Sequence, residues 1–285
     1  MNGWETDFEA PLCFAIKHER YEVFDRLLED ERSETKCLNG ALTKAIEANN
    51  ERIISALLGN KRCDPNGEGF FDKPISLVLR KCEEQITRKF CEHPKFDVNL
   101  KYWAGETTKT REYIPALVDA VALNKVEHVK VLLDCEHIDV NLQVKDATTA
   151  LSRAVTLGHS AIVKLLLEDD RINVRSSLRE LINAREKLQD GANGTLFGLL
   201  LAHKTAEINR GDNGKGTLLL DAMEARNSVA VIEILKCGDL DVMAEDSKGR
   251  TAFDLARRRG LSKKAMAALV DDERTPTGRK GCQVM

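Results

Sequence analysis

An all-α stack of repeated helix-turn-helix units is the fold class this sequence predicts, and three observations predict it. The first is a recurring frame. Thr149-Ala150-Leu151 is followed by Ala154 and Gly158, and Thr251-Ala252-Phe253 by Ala256 and Gly260. Pro115-Ala116-Leu117 runs on to Ala120 and Asn124, and Thr217-Leu218-Leu219 to Ala222 and Arg226. The starts at 115, 149, 217 and 251 are spaced by 34, 68 and 34 residues, so the doubled interval requires another unit near 183. The second observation is helical periodicity inside each unit. Leu151, Ala154 and Val155 form a narrow, small-residue face, and Ile162, Val163, Leu166 and Leu167 a wider apolar stripe. The third is a polar punctuation after each stripe: Phe96-Asp97-Val98-Asn99, Ile138-Asp139-Val140-Asn141 and Leu240-Asp241-Val242. Asp, Asn and Gly supply turn chemistry, which predicts hairpins projecting between helix pairs.

Extended toward the start of the chain, the frame fits Ala10-Pro11-Leu12 with Ala15. It also fits Gly40-Ala41-Leu42 with Ala45 and Asn49, and Lys73-Pro74-Ile75 with Val78 in place of Ala. Eight units then begin at 10, 40, 73, 115, 149, 183, 217 and 251. The unit at 183 is degenerate in its first half. Its second helix is read from Leu196 to Leu201, which lies 34 residues after Ile162 to Leu167. The interval from 73 to 115 is eight residues too long, and the excess falls in an aromatic hairpin insertion at 101–113.

These residues resemble the ankyrin-repeat family. Gly158-His159 matches that family's turn between helices, Asp139-Val140-Asn141 its closing triplet, and Thr251 to Ala256 a typical last repeat. Tetratricopeptide repeats share the spacing, but their Trp, Gly, Tyr and Pro positions are missing here. The resemblance implies an ankyrin-repeat solenoid of about eight helix-turn-helix units. Its hairpins and first helices would line a concave contact surface for a protein partner. It also implies that the His159 imidazole bonds local backbone. Residues 1–114 form a divergent part, 115–270 a well-matched part that includes the degenerate stretch 183–216, and 271–285 a flexible basic tail. One unit cannot bury its own stripe, so neighbours must cover one another.

Composition agrees with a packed chain. Of 285 residues, 42% are hydrophobic and 31% charged, enough apolar material for a core. Net charge is −3, from 43 basic and 46 acidic residues, which disfavours direct nucleic-acid binding. No basic start followed by an apolar run opens the chain, so no secretory signal is expected. Without that route the Asn193-Gly194-Thr195 sequon carries no weight. The eight cysteines form no CxxC pair, which predicts reduced thiols and no zinc framework. The six histidines share no ligand spacing, and no metal or cofactor is expected. Gly211 to Thr217 lacks phosphate-loop spacing and reads as a hairpin linker. Nothing groups into a catalytic constellation, so the expected protein is not an enzyme.

Two features stand above the scaffold. Three of the five Trp and Tyr residues, Tyr102, Trp103 and Tyr113, sit in the 101–113 insertion. They are candidate partner anchors, because such side chains dominate interface energies. The alternative is that Trp103 folds back onto its own hairpin. Further candidate contact residues are Gln143, Lys145, Thr156, Leu157, Glu245, Ser247, Lys248 and Arg250. The second feature is Cys282-Gln283-Val284-Met285, which matches the Cys-a-a-X prenylation signal with a farnesyl-type terminal Met. Residues 251–285 carry eight basic and four acidic side chains, leaving −7 for the rest. A basic patch beside one lipid chain is the usual second membrane anchor.

The expectation is therefore a non-enzymatic scaffold in the cytoplasm, tethered to an anionic membrane face through Cys282. The first alternative is a soluble cytoplasmic or nuclear co-regulator of transcription or signalling, with Arg257 to Lys264 as an import patch. A remote alternative is an enzyme, which requires a deep cleft holding perturbed ionisable groups.

Overall fold

The computed structural model describes residues 11–30, 35–67, 73–104, 112–145, 148–183, 191–204, 206–211, 216–259 and 262–272. Cys282 and the rest of the tail beyond 272 lie outside the described residues, as does the middle of the 101–113 insertion. The chain divides into two compact units, residues 1–142 and 143–285, described in turn.

The first unit contains α1 (Pro11–Lys17), α2 (Tyr21–Glu29), α3 (Thr35–Glu47), α4 (Glu51–Leu58), α5 (Pro74–Lys81) and α6 (Glu84–Glu92). A two-stranded antiparallel ribbon follows, β1 (Tyr102–Trp103) with β2 (Tyr113–Ile114), and then α7 (Ala116–Ala122) and α8 (Val126–Leu133). The first helices α1, α3, α5 and α7 pack in succession, and α4, α6 and α8 do the same beside them. Helices this short are marginal alone, so packing must stabilise them. Buried Ala15, Ala41, Ala45, Ala116 and Ala120 let the first helices approach closely. Ile53, Ile54, Leu57, Ile86, Phe90, Val129 and Leu132 fill the space behind them.

The second unit contains α9 (Ala150–Thr156), α10 (Ser160–Leu167), α11 (Val174–Asn183), α12 (Gly191–Leu201), α13 (Leu218–Glu224), α14 (Ser228–Leu235), α15 (Ala252–Arg259) and α16 (Lys263–Val270). Here α9, α11, α13 and α15 form one row, and α12, α14 and α16 another. Thr149 opens α9 with a capping box, accepting the Ser152 N–H while the Ser152 hydroxyl accepts the Thr149 N–H.

One turn recurs between the two helices of a pair. Glu19, Asn49, Asn124, Gly158 and Arg226 all have positive φ, between 49° and 72°. At Gly158 the turn closes with Gly158 N–H on the Val155 carbonyl (3.0 Å) and His159 N–H on the Ala154 carbonyl (2.9 Å). Both bonds satisfy carbonyls that the helix end would leave open. Val121 and Ala120, and Met223 and Ala222, accept the same pair of bonds in their turns. The Gly or Asn position of the sequence frame is thus the left-handed residue of a helix-ending turn.

A second recurring device joins successive hairpins. In the first unit, Asn66 donates to the Lys95 carbonyl (2.6 Å) and accepts the Asp97 N–H (2.8 Å). Asn99 likewise holds the His137 carbonyl and the Asp139 N–H, both at 2.8 Å. In the second unit Asn209 holds the Asp239 carbonyl (2.5 Å) and the Asp241 N–H (2.8 Å).

Six of the eight expected units begin within one residue of an observed first helix, and two differ. α3 begins at Thr35 rather than near 40, because Leu38 and Asn39 continue the helix and are buried in the core. α11 begins at Val174 rather than near 183. Asn173, the residue that would close a hairpin, accepts the Ser176 N–H (3.1 Å) and starts the helix there instead. The expectation that all cysteines are reduced is corrected at one pair. Cys91 of α6 and Cys135, just past α8, form a disulfide with Cα atoms 5.4 Å apart.

Candidate protein-contact surfaces

In the first unit the ribbon puts Tyr102 opposite Ile114 and Trp103 opposite Tyr113. Adjacent residues of a strand face opposite ways, so the two aromatic side chains of β1 separate. Tyr102 faces inward and has no exposed surface. Its hydroxyl donates to Asp119 Oδ2 at 2.9 Å, and Ser76 Oγ donates to the same oxygen at 3.2 Å. Burial, then the Asp119 charge, pushes the Tyr102 phenol pKa well above its ordinary value, and the nearby Arg80 partly offsets this. The Arg80 guanidinium also donates to the Ala104 carbonyl. These bonds fasten the inserted hairpin to α5 and α7. Tyr102 is therefore corrected from partner anchor to internal anchor: a buried Asp needs donors, and Tyr102 is one.

Trp103 is half-buried and meets Tyr113 edge-on, with ring centroids 6.0 Å apart. It thus packs on its own hairpin, while Tyr113 remains 45% exposed. Of the three aromatic candidates, Tyr113 offers the most surface.

In the second unit, Gln143 is exposed and donates to Ser176 Oγ at 2.7 Å, and Lys145 is exposed beside it. The Thr156 hydroxyl is used internally, donating to the Ser152 carbonyl at 2.8 Å. Leu157, at the end of α9, is 45% exposed. Glu245, Ser247 and Lys248 are exposed on the last hairpin. Arg250 is held in place, with Nε on Asp246 (2.7 Å) and a terminal nitrogen on Glu224 (3.2 Å). Asp246 also accepts the Lys248 and Arg250 N–H groups, and these bonds, the Arg250 side chain first, lower its carboxyl to about 2. Arg179 of α11 donates to Asp221 of α13 at 2.8 Å. A pocket of about 230 Å3 lies among these groups, but Asp221, Glu224 and Asp246 are already answered by Arg179 and Arg250. Sequence reasoning missed Met243, 44% exposed, whose signal was its standing where other hairpins carry Asn. It also missed the Arg179–Asp221 pair, which has no sequence signature.

A recess of about 710 Å3 lies along α12 and α14 and the loops after them. Much of its charged lining is paired locally: Arg210 with Glu207 at 2.7 Å, Lys236 with Glu233 at 2.6 Å, and Lys204 with Asp170. The strongly raised thiols, Cys63 at about 12 and Cys82 at about 11, belong to the first unit and are held protonated by burial. His159 is half-buried, which pushes its imidazole pKa down, and its side chain makes no bond to the start of α10. The expected imidazole-to-backbone bond is therefore not seen at that helix start. Most of the Gly211 to Thr217 linker lies outside the described residues, and Thr217 is the residue that opens α13.

Comparison with known proteins agrees with this geometry. Residues 89–176 match the family model described as ankyrin repeats (3 copies). The ankyrin repeat domain of Bcl-3, described as a unique member of the IkappaB protein family, has a similar structure. Its TM-score is 0.59 at 18% identity, covering 85% of this chain and 99% of that one. The ankyrin repeat protein EF0377 gives a TM-score of 0.46 at 20% identity, covering 80% of this chain and 96% of that one. No curated protein sequence matches the chain. The segment 89–176 thus consists of ankyrin repeats, and the fold is the ankyrin-repeat fold of paired helices.

Proposed function

We propose that this chain is a non-enzymatic scaffold that binds a protein partner through its hairpin tips and the ends of its first helices. The observation carrying the proposal is the exposure of three large apolar side chains there: Tyr113, Leu157 and Met243. Exposed apolar groups are what a partner can desolvate at low cost. Ankyrin repeats in general mediate protein–protein interaction, which supports the same reading. Crosslinking in cells tests it. Tyr113→Ala, Leu157→Ser and Met243→Ser should each weaken capture of a protein held by the wild type, with the circular dichroism spectrum unchanged. Undiminished capture by all three variants would overturn the proposal.

The finer part of the reading is that Cys282 is prenylated and the scaffold sits at a membrane. Its support is the Cys282-Gln283-Val284-Met285 sequence and the basic balance of residues 251–285. Metabolic labelling with a farnesyl analogue should mark the wild type and spare Cys282→Ser. Equal labelling of both, or of neither, sinks the tether.

A further inference from the structure

The last helix pair carries a run of exposed positive charge with no ion pair among the described residues. Arg257 and Arg258 are exposed at the end of α15, and Lys263 and Lys264 are exposed in the first turn of α16. Several other cations in this unit have close carboxylate partners, among them Arg171 with Asp169, Arg210 with Glu207 and Lys236 with Glu233. None of these four basic residues forms an ion pair among the described residues. The one acid on α15, Asp254, is engaged elsewhere. It accepts the Thr251 N–H (3.0 Å) and hydroxyl (2.9 Å), and these bonds hold its carboxyl below the usual range, with Arg258 and Arg257 as lesser causes.

Two of the four also oppose the helix that carries them. The start of a helix is the positive end of its dipole, where acids stabilise and cations destabilise. α16 has no acid in its first turn and two lysines. A local rule broken without local gain points to a partner that supplies the gain. Anionic groups set against this end would satisfy both the side chains and the helix start.

We propose that the α15–α16 end is a docking surface for the anionic headgroups of a membrane. The proposal deepens the tether reading above and rests on it for the choice of partner. Cys282 follows Asp272 by ten residues, a reach of roughly 33 Å when extended, so a lipid on it and this surface can meet one bilayer together. A single lipid chain binds reversibly, and a basic surface is the second anchor that makes binding durable. A long nucleic acid fits less well, because the first 250 residues carry a net charge of −7.

The test measures partition of the full chain, farnesylated and unmodified, onto phosphatidylcholine vesicles with and without about one-third phosphatidylserine. Each cation near an anionic surface is worth about five-fold in binding, so four should give a preference of roughly several hundred-fold for the anionic vesicles. The Arg257→Gln, Arg258→Gln, Lys263→Gln, Lys264→Gln variant should lose that preference in both forms and still bind neutral vesicles through its farnesyl group. It should unfold at the same or a higher temperature than the wild type, so misfolding is separately visible. A preference kept by the variant, or absent from the wild type, overturns the proposal. So does tighter binding to single-stranded RNA homopolymer at the same salt. Failure of farnesyl labelling would remove the tether but leave the preference of the unmodified chain intact, so the two failures are distinguishable.

Discussion

Replacing Tyr102 by Phe deletes one oxygen and leaves the ring in place. That oxygen donates to Asp119 Oδ2 at 2.9 Å, and both residues have no exposed surface. A hydrogen bond to a buried charged group is worth about 1.5–3 kcal/mol, and losing it also leaves the acceptor short of a donor. Ser76 still donates to the same oxygen at 3.2 Å, so a loss of about 2 kcal/mol is expected. In thermal unfolding this corresponds to a fall of roughly 4–8 °C in Tm. Alkaline pH gives a second check. The folded-state phenol lies well above its ordinary value of 10.0, so its contribution is complete below about pH 10 and is lost as pH rises beyond it. The gap between wild type and Tyr102→Phe should therefore be constant below pH 10 and narrow above it. A variant as stable as the wild type, or one that loses a protein partner without losing stability, would refute the internal role given to this side chain.

Three other outcomes follow from the packing. Arg226 has φ 55° in a turn where glycine has no steric penalty, so Arg226→Gly should gain about 0.5–1 kcal/mol, whereas Gly158→Ala should lose about 1 kcal/mol in urea unfolding. Reducing the Cys91–Cys135 bond, which closes 44 residues, should cost about 4 kcal/mol on the chain-entropy account, and thermal curves that coincide with and without reductant would contradict it. Asp246 has a folded value of about 2, below its unfolded one, so its contribution is present above about pH 4 and lost as pH falls through 2. Exchange of the Lys248 and Arg250 amides should accelerate over that range in the wild type, and Asp246→Asn should show no such step.

The helix pairs were legible because the apolar frame and the left-handed turn repeat together. Ala154 with Gly158, and Ala120 with Asn124, place both the close contact and the chain reversal. The frame misled where one residue took a different role. Asn173 looks like a hairpin asparagine and acts as a helix cap, which moves α11. Tyr102 looks like a projecting aromatic, yet alternation along β1 turns it inward. The available signal was Asp119, an acid inside the apolar run Ala116 to Ala122, which had to find a donor. The disulfide was hidden because Cys91 and Cys135 are joined by the stacking of α6 beside α8 rather than by any short spacing.

The asparagine bridges have a consequence for how such a chain can change length. Asn66 and Asn99 each offer one amide to the following hairpin and receive one backbone N–H in return, on identical terms. A helix pair bounded by an acid-to-asparagine hairpin at each side carries its own standard coupling. Duplicating or excising it would present the next neighbour with the same socket. Met243, which has no such amide, would make a poor joint for any pair spliced in after it.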